Sequence, residues 1–234
     1  MASSTPSSPL LRLPKELRYE IYDLLCRQEP KSFPFPVPQS MLISFIDQRA
    51  PPTDLSMTCR FLCDETRSYF YSKVTLAFHS TSRERSFPLN ETMDPIILRA
   101  IQNVRKIRIR VNWSHLHESN IIRKDKVPYQ TIGWLADLVD LLLREAEMLE
   151  VVTLCVYSEM SSAVGWELKA WILKPLERLA GRVRWRLGDV MATQEDEAAL
   201  KEQLIAYLEE LNGGAALVVE PDRDPQPVDS CCTS

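Results

Sequence analysis

Glycine is scarce in this chain. Its six glycines, at positions 133, 165, 181, 188, 213 and 214 of 234, include none in a strand-to-helix phosphate cradle. That excludes a loop-built dinucleotide or nucleoside triphosphate site. Histidine is scarcer still, with three residues, and the sequence holds neither a His-Glu-x-x-His helix nor a Gly-x-Ser-x-Gly nucleophile elbow. No apolar run approaches the ~20 residues that span a bilayer. The first nine residues are rich in Ser, Pro and Thr and lack the basic-then-apolar order of a secretory signal. The six cysteines have no regular spacing, so they read as reduced thiols, and the expected compartment is cytosol or nucleus.

What is present is ordinary globular composition: 45% hydrophobic and 26% charged residues, enough for one large domain or two small ones. A formal charge of -4 gives no global electrostatic case for binding nucleic acid or an anionic membrane. The charge is nevertheless segregated. Arg83, Arg85, Arg99, Arg105, Lys106, Arg108, Arg110, Arg123, Lys124 and Lys126 make the middle basic, while Glu195, Asp196, Glu197, Glu209, Glu210, Asp222 and Asp224 make the end acidic. Such a patch steers acidic partners or nucleic acid, but no recognised reader motif accompanies it, and a solvated sheet face is the plainer expectation.

Pro14 suits a first helical turn, and Leu13, Leu17, Ile21 and Leu24 recur at helical spacing through about Cys26. Pro30, Pro34, Pro36 and Pro38 forbid continuation, so residues 29–52 read as an extended connector with a short apolar docking segment at 41–46. A second helix is expected from Thr53 or Asp54 to about Tyr71, with Leu55, Cys59, Leu62, Thr66, Tyr69 and Phe70 facing inward. Strands at 74–78, 104–111, 149–157 and 183–187 then alternate with helices at 93–102, 129–147, 166–180 and 193–211, and 216–219 supplies a last strand. Alternation of this kind predicts an α/β fold with mostly parallel strands. Ile107, Ile109 and Val111 alternate with Arg108 and Arg110, which predicts helices mainly on one side of the sheet, in a compact α/β or a leucine-rich-repeat-like arrangement. The expected organisation is 1–9 disordered, 10–73 helical around the connector, 74–220 β-α units, and 221–234 a disordered tail.

Residues 11–22, with Leu13-Pro14-Lys15-Glu16-Leu17-Arg18, resemble the opening helix of F-box proteins. Thr58-Cys59-Arg60, Glu65-Thr66-Arg67 and Tyr69-Phe70-Tyr71-Ser72-Lys73 follow in the second helix, and an Arg-rich strand ends at Val111. Together they resemble the fungal F-box-like proteins classed by two Glu-x-Arg motifs, over residues 10–111. The resemblance implies a non-catalytic adaptor, a candidate substrate-recognition subunit of a cullin-RING ubiquitin ligase. Leu13, Pro14, Leu17, Ile21 and Leu24 would fill the groove of a Skp-family adaptor, and the later units would hold an unknown protein target. In ordinary F-boxes the helices follow closely, whereas here the Pro-rich connector separates them. Read without the resemblance, the same stripe packs on the second helix, as most such stripes do.

Residues two apart on a helix do not face each other, so Glu16 and Arg18 are expected to pair across helices with Arg67 and Glu65, a structural role. His115 and His117, with Glu118 or His79, offer metal-type ligands but no further cluster, and a solvated loop is expected. Cys59 and Cys63, one turn apart, read as small hydrophobes. Cys231 lies fourth from the end, as prenylation requires, yet Thr233 fits the aliphatic position poorly and no lipid anchor is expected. No metal or cofactor is expected. The alternatives to the adaptor are a free-standing interaction scaffold, a basic-patch nucleic-acid binder, and an enzyme using His115 or His117.

Overall fold

A computed structural model of the chain describes residues 9–26, 43–48, 51–80, 95–113, 127–158, 165–192 and 194–219. Expectations for the two termini, for most of the Pro-rich connector and for His115, His117, Glu118 and Cys231 lie outside these residues. Six strands form one sheet: β1 (Ile43–Ile46), β2 (Thr75–His79), β3 (Lys106–Asn112), β4 (Val151–Ser158), β5 (Arg184–Ala192) and β6 (Val218–Val219). They lie side by side in chain order. β1 runs antiparallel to β2, and every later pair is parallel.

Seven helices are described. A 3-10 turn at Pro9–Arg12 precedes α1 (Lys15–Cys26), and α2 (Thr53–Thr58) and α3 (Arg60–Lys73) lead into β2. α4 (Pro95–Asn103), α5 (Val127–Glu145), α6 (Trp166–Leu173) and α7 (Gln194–Leu211) are the crossovers of the parallel strands. A right-handed crossover that always advances in the same direction puts every helix on the same face. One buried cluster accordingly joins Ile101, Leu138, Leu173 and Leu204 of the helices to Ile107, Ile109, Leu154 and Leu187 of the strands. Each aliphatic side chain buried there stabilises the fold by about 1.5–3 kcal/mol. Among the described residues the strand order never reverses, so these six strands form no switch-point crevice of the kind that holds dinucleotides. Among the described residues no helix is long and apolar enough to cross a membrane.

Several boundaries differ from expectation for local reasons. The helix expected from residue 53 to 71 is broken at Cys59, whose extended backbone caps α3 as its Sγ accepts from the Leu62 amide. The helix expected to reach residue 180 becomes a 3-10 turn at Lys174–Leu179, because Pro175 has no amide hydrogen to extend α6. β5 continues past Leu187, since Gly188 and Asp189 form an irregularity opposite Cys155 where a strand end was expected. The apolar end of the connector, Ile43–Ile46, is an edge strand.

The C-terminus of α7 closes as the sequence asks. Gly213 and Gly214 adopt φ of 69° and 83°, and their amides donate to the Glu210 and Glu209 carbonyls, a Schellman closure that glycine alone makes without strain. Asn212 then clamps β5: its Oδ1 accepts from the Trp185 amide at 2.8 Å and its Nδ2 donates to the Trp185 carbonyl at 3.1 Å.

Candidate functional site

The first helix packs with its polar side inward. Arg18, Tyr22 and Cys26, four residues apart, are the buried residues of α1. Arg18 donates from Nε to Glu65 Oε2 at 2.8 Å and from Nη2 to Oε1 at 2.6 Å, a bidentate fork, and from Nη1 to the Leu13 carbonyl at 2.6 Å. The Tyr22 hydroxyl donates to the same Glu65 Oε2 at 2.8 Å. Around this knot, the Tyr69 ring packs 4.3 Å from that of Tyr19 and 5.6 Å from that of Tyr22. The ammonium groups of Lys15 and Lys73 stand over Tyr19 and Tyr69.

Each shift in this network has a visible cause. The hydrogen bond from Arg18 holds the Glu65 carboxyl below the usual range, helped by the Tyr22 hydroxyl and opposed by burial. Burial, then the bond to Glu65, pushes the Tyr22 phenol up to about 12. A carboxylate with a depressed folded pKa contributes stability that is present above its ordinary value, about 4.3, and lost as pH falls through the folded value. The thermal-midpoint difference between wild type and Glu65→Gln is therefore expected to be largest near neutrality and to close below about pH 4. A pH series of melting curves measures it; a gap that stays constant across that range would remove Glu65 as the source.

Of the Glu-x-Arg residues, Arg18 and Glu65 meet, whereas Glu16 and Arg67 are exposed and no ion pair joins them. The expected Glu16–Arg67 pairing is thus corrected. Two positions on a helix turn it by about 200°, so when one end of each triplet enters the interface the other must leave it. Arg67 Nη2 instead lies 3.7 Å from Cys63 Sγ, its acceptor.

The aliphatic stripe of α1 lies roughly 130° around the axis from the buried face. Leu17 and Leu24 are 44% and 64% exposed, Pro14 is exposed, and Leu13 and Ile21 are half-buried. The packing of this stripe on the second helix, the plainer expectation, is replaced by the Arg18–Tyr22 face. Three further large apolar side chains that periodicity did not single out are exposed: Leu25 on α1, Met57 on α2 at 79%, and Phe61 on α3 at 55%. The Arg18 guanidinium lies 5.7 Å from the Phe61 ring centre, which places that ring beside α1. Met57 and Phe61 fall outside the inward spacing of their helices, the one signal that could have found them.

Other candidate groups are dispersed. His79 is half-buried on β2, and burial followed by the charge of Arg110 lowers its pKa and favours the neutral ring. Burial pushes the Cys155 thiol up to about 11, away from thiolate chemistry. Among the described residues no three His, Cys, Asp or Glu side chains are placed to hold a metal.

No protein family model matches the chain, and neither a curated protein nor a solved structure shows significant similarity to it. The described residues define a mixed α/β protein with a five-stranded parallel sheet, an antiparallel edge strand and an apolar surface on its first helix.

Proposed function

We propose that the chain is a non-catalytic, F-box-like adaptor whose first helix docks a Skp-family adaptor of a cullin-RING ubiquitin ligase, while the later units present a surface to a target protein. The observation that carries this reading is the inversion of α1. A helix that buries Arg18 and Tyr22 and leaves Leu17 and Leu24 exposed offers the spaced aliphatic anchors that helix-in-groove recognition uses. Exposed Met57 and Phe61 add apolar area on the neighbouring helices. The finer fold reading, an F-box-like segment followed by leucine-rich-repeat-like units, is supported by the ordered motifs, the sequential strand order and the one-sided helices.

Co-expression with a Skp-family adaptor tests it. Wild type is expected to co-elute with the adaptor, and the double variant Leu17→Asp with Leu24→Asp to elute alone. Both positions are exposed, so the variant should keep its stability to within about 0.5 kcal/mol per substitution. Failure of wild type to co-elute would leave the free-standing scaffold as the better reading, since the same surface would then serve a partner without a ubiquitin link.

A further inference from the structure

The break between α2 and α3 puts two thiols on successive turns of chain near the protein surface. Cys59 leaves α2 with extended backbone and caps α3, and the Cys63 amide donates to the Cys59 carbonyl at 3.0 Å. A helical side chain leans over the turn before its own, which carries the Cys63 thiol toward Cys59. Both residues are half-buried, whereas Cys26 and Cys155 are buried. Neither joins the hydrophobic core, so their expected role as small hydrophobes is corrected. Each sulfur faces a donor: Cys59 Sγ accepts from the Leu62 amide at 3.5 Å, and Cys63 Sγ from Arg67 Nη2 at 3.7 Å. The flanking Thr58, Arg60, Phe61 and Asp64 are exposed, which leaves the pair reachable from solvent among the described residues.

We propose that Cys59 and Cys63 form a two-thiolate site for a soft monovalent cation, copper(I). Residues one turn apart have Cβ atoms about 5–6 Å apart. A disulfide needs about 3.8 Å, so direct sulfur–sulfur bonding would require the turn to open. A cation between the sulfurs needs no such opening. With metal–sulfur bonds of about 2.3 Å the sulfurs stand up to about 4.6 Å apart, a span that rotation about χ1 of two half-buried cysteines reaches. Thiolate donors select copper(I), which two of them suffice to hold. Structural zinc takes four ligands, and among the described residues no third His, Cys, Asp or Glu side chain completes a metal cluster. Binding releases both thiol protons to solvent, so two thiols and one copper(I) give a bis-thiolate complex of charge -1 and two protons. The first amides of α3 and the Arg67 guanidinium then face that negative charge and stabilise it. The pair belongs to α3 and the docking stripe to α1, so the site does not depend on the adaptor reading.

Anaerobic titration of the reduced full chain with copper(I), in competition with a chromogenic copper(I) chelator, tests the site. Adjacent Cys231 and Cys232 offer a second pair of thiols, so both are replaced by serine in every sample. That background is expected to take up one copper(I) per chain. Adding Cys59→Ser or Cys63→Ser alone should weaken uptake at least about 100-fold, since one thiolate cannot complete the pair. Serine is a preferred N-cap, so Cys59→Ser keeps α3 capped, and circular dichroism verifies both folds. If Cys63→Ser disturbs the chain, Cys59→Ser decides alone. X-ray absorption of the loaded background should show two sulfur neighbours around copper. The proposal is overturned if the background binds no copper(I), if a folded single variant binds it as tightly, or if the copper neighbours are nitrogen and oxygen. Saturation at one copper per two chains would make the ion a bridge between copies and would also overturn it.

Discussion

Replacing Tyr22 with alanine is expected to destabilise the protein by about 3–5 kcal/mol, in the range for large aromatic truncations in a packed core. Tyr22 is 1% exposed, its ring contacts those of Tyr19 and Tyr69, and its hydroxyl is one of the donors on Glu65. Alanine removes both contributions and opens a cavity between α1 and α3. Tyr22→Phe removes the hydroxyl alone and is expected to cost about 1–2 kcal/mol, because Arg18 still satisfies the carboxylate. Domains commonly have only about 5–15 kcal/mol in total, so the alanine variant should release α1 to limited proteolysis well below the global midpoint. Denaturant titration of the two variants separates packing from hydrogen bonding. Equal losses would mean that the ring contributes little, against the packing described for this helix.

Gly188→Ala is the second large effect, expected to cost about 2–3 kcal/mol by overpacking. The new methyl would meet Cys155 Sγ at 2.6 Å and Thr153 Cγ2 at 2.8 Å, both well inside van der Waals contact and both on the neighbouring central strand. Thr153 is β-branched and stiff, so it relieves little; Cys155 is the side chain that can be cut back. Adding Cys155→Ala should therefore recover at least about 1 kcal/mol, although each single change destabilises. Strict additivity in denaturant titrations would place the clash elsewhere.

Much of the architecture was legible because local pattern and tertiary role coincide in it. The alternation of Ile107, Ile109 and Val111 with Arg108 and Arg110 announced a one-sided sheet, and the helices do lie on the apolar side. Asn212-Gly213-Gly214 announced the end of α7. Where punctuation misled, the cause was a residue with two uses. Gly188 looks like a strand terminator and serves as a bulge, and Cys59 looks like one more inward residue of a long helix and serves as a cap. The basic face was half visible: the β3 cations stood out as a run, while Arg184 and Arg186 passed unremarked although they alternate with buried Trp185 and Leu187 in the same way.

The candidate docking surface shows where local information ends. Spacing alone identified α1 and its aliphatic stripe, because helical periodicity is a property of one segment. It could not say which side of α1 would face the body of the protein, since that depends on what a distant segment offers. Glu65, forty-seven residues from Arg18 along the chain, supplies a carboxylate that draws Arg18 and Tyr22 inward and leaves Leu17 and Leu24 outside. The basic residues of β3 and β5 obey the same distinction. Each strand's alternation is written in its own residues, but that Lys106 shares a rung with Arg184, and Arg108 with Arg186, follows from parallel register across β4. Segments fix their own period; only the packed chain fixes which faces meet, because hydrogen bonds and buried contacts between remote residues select the register.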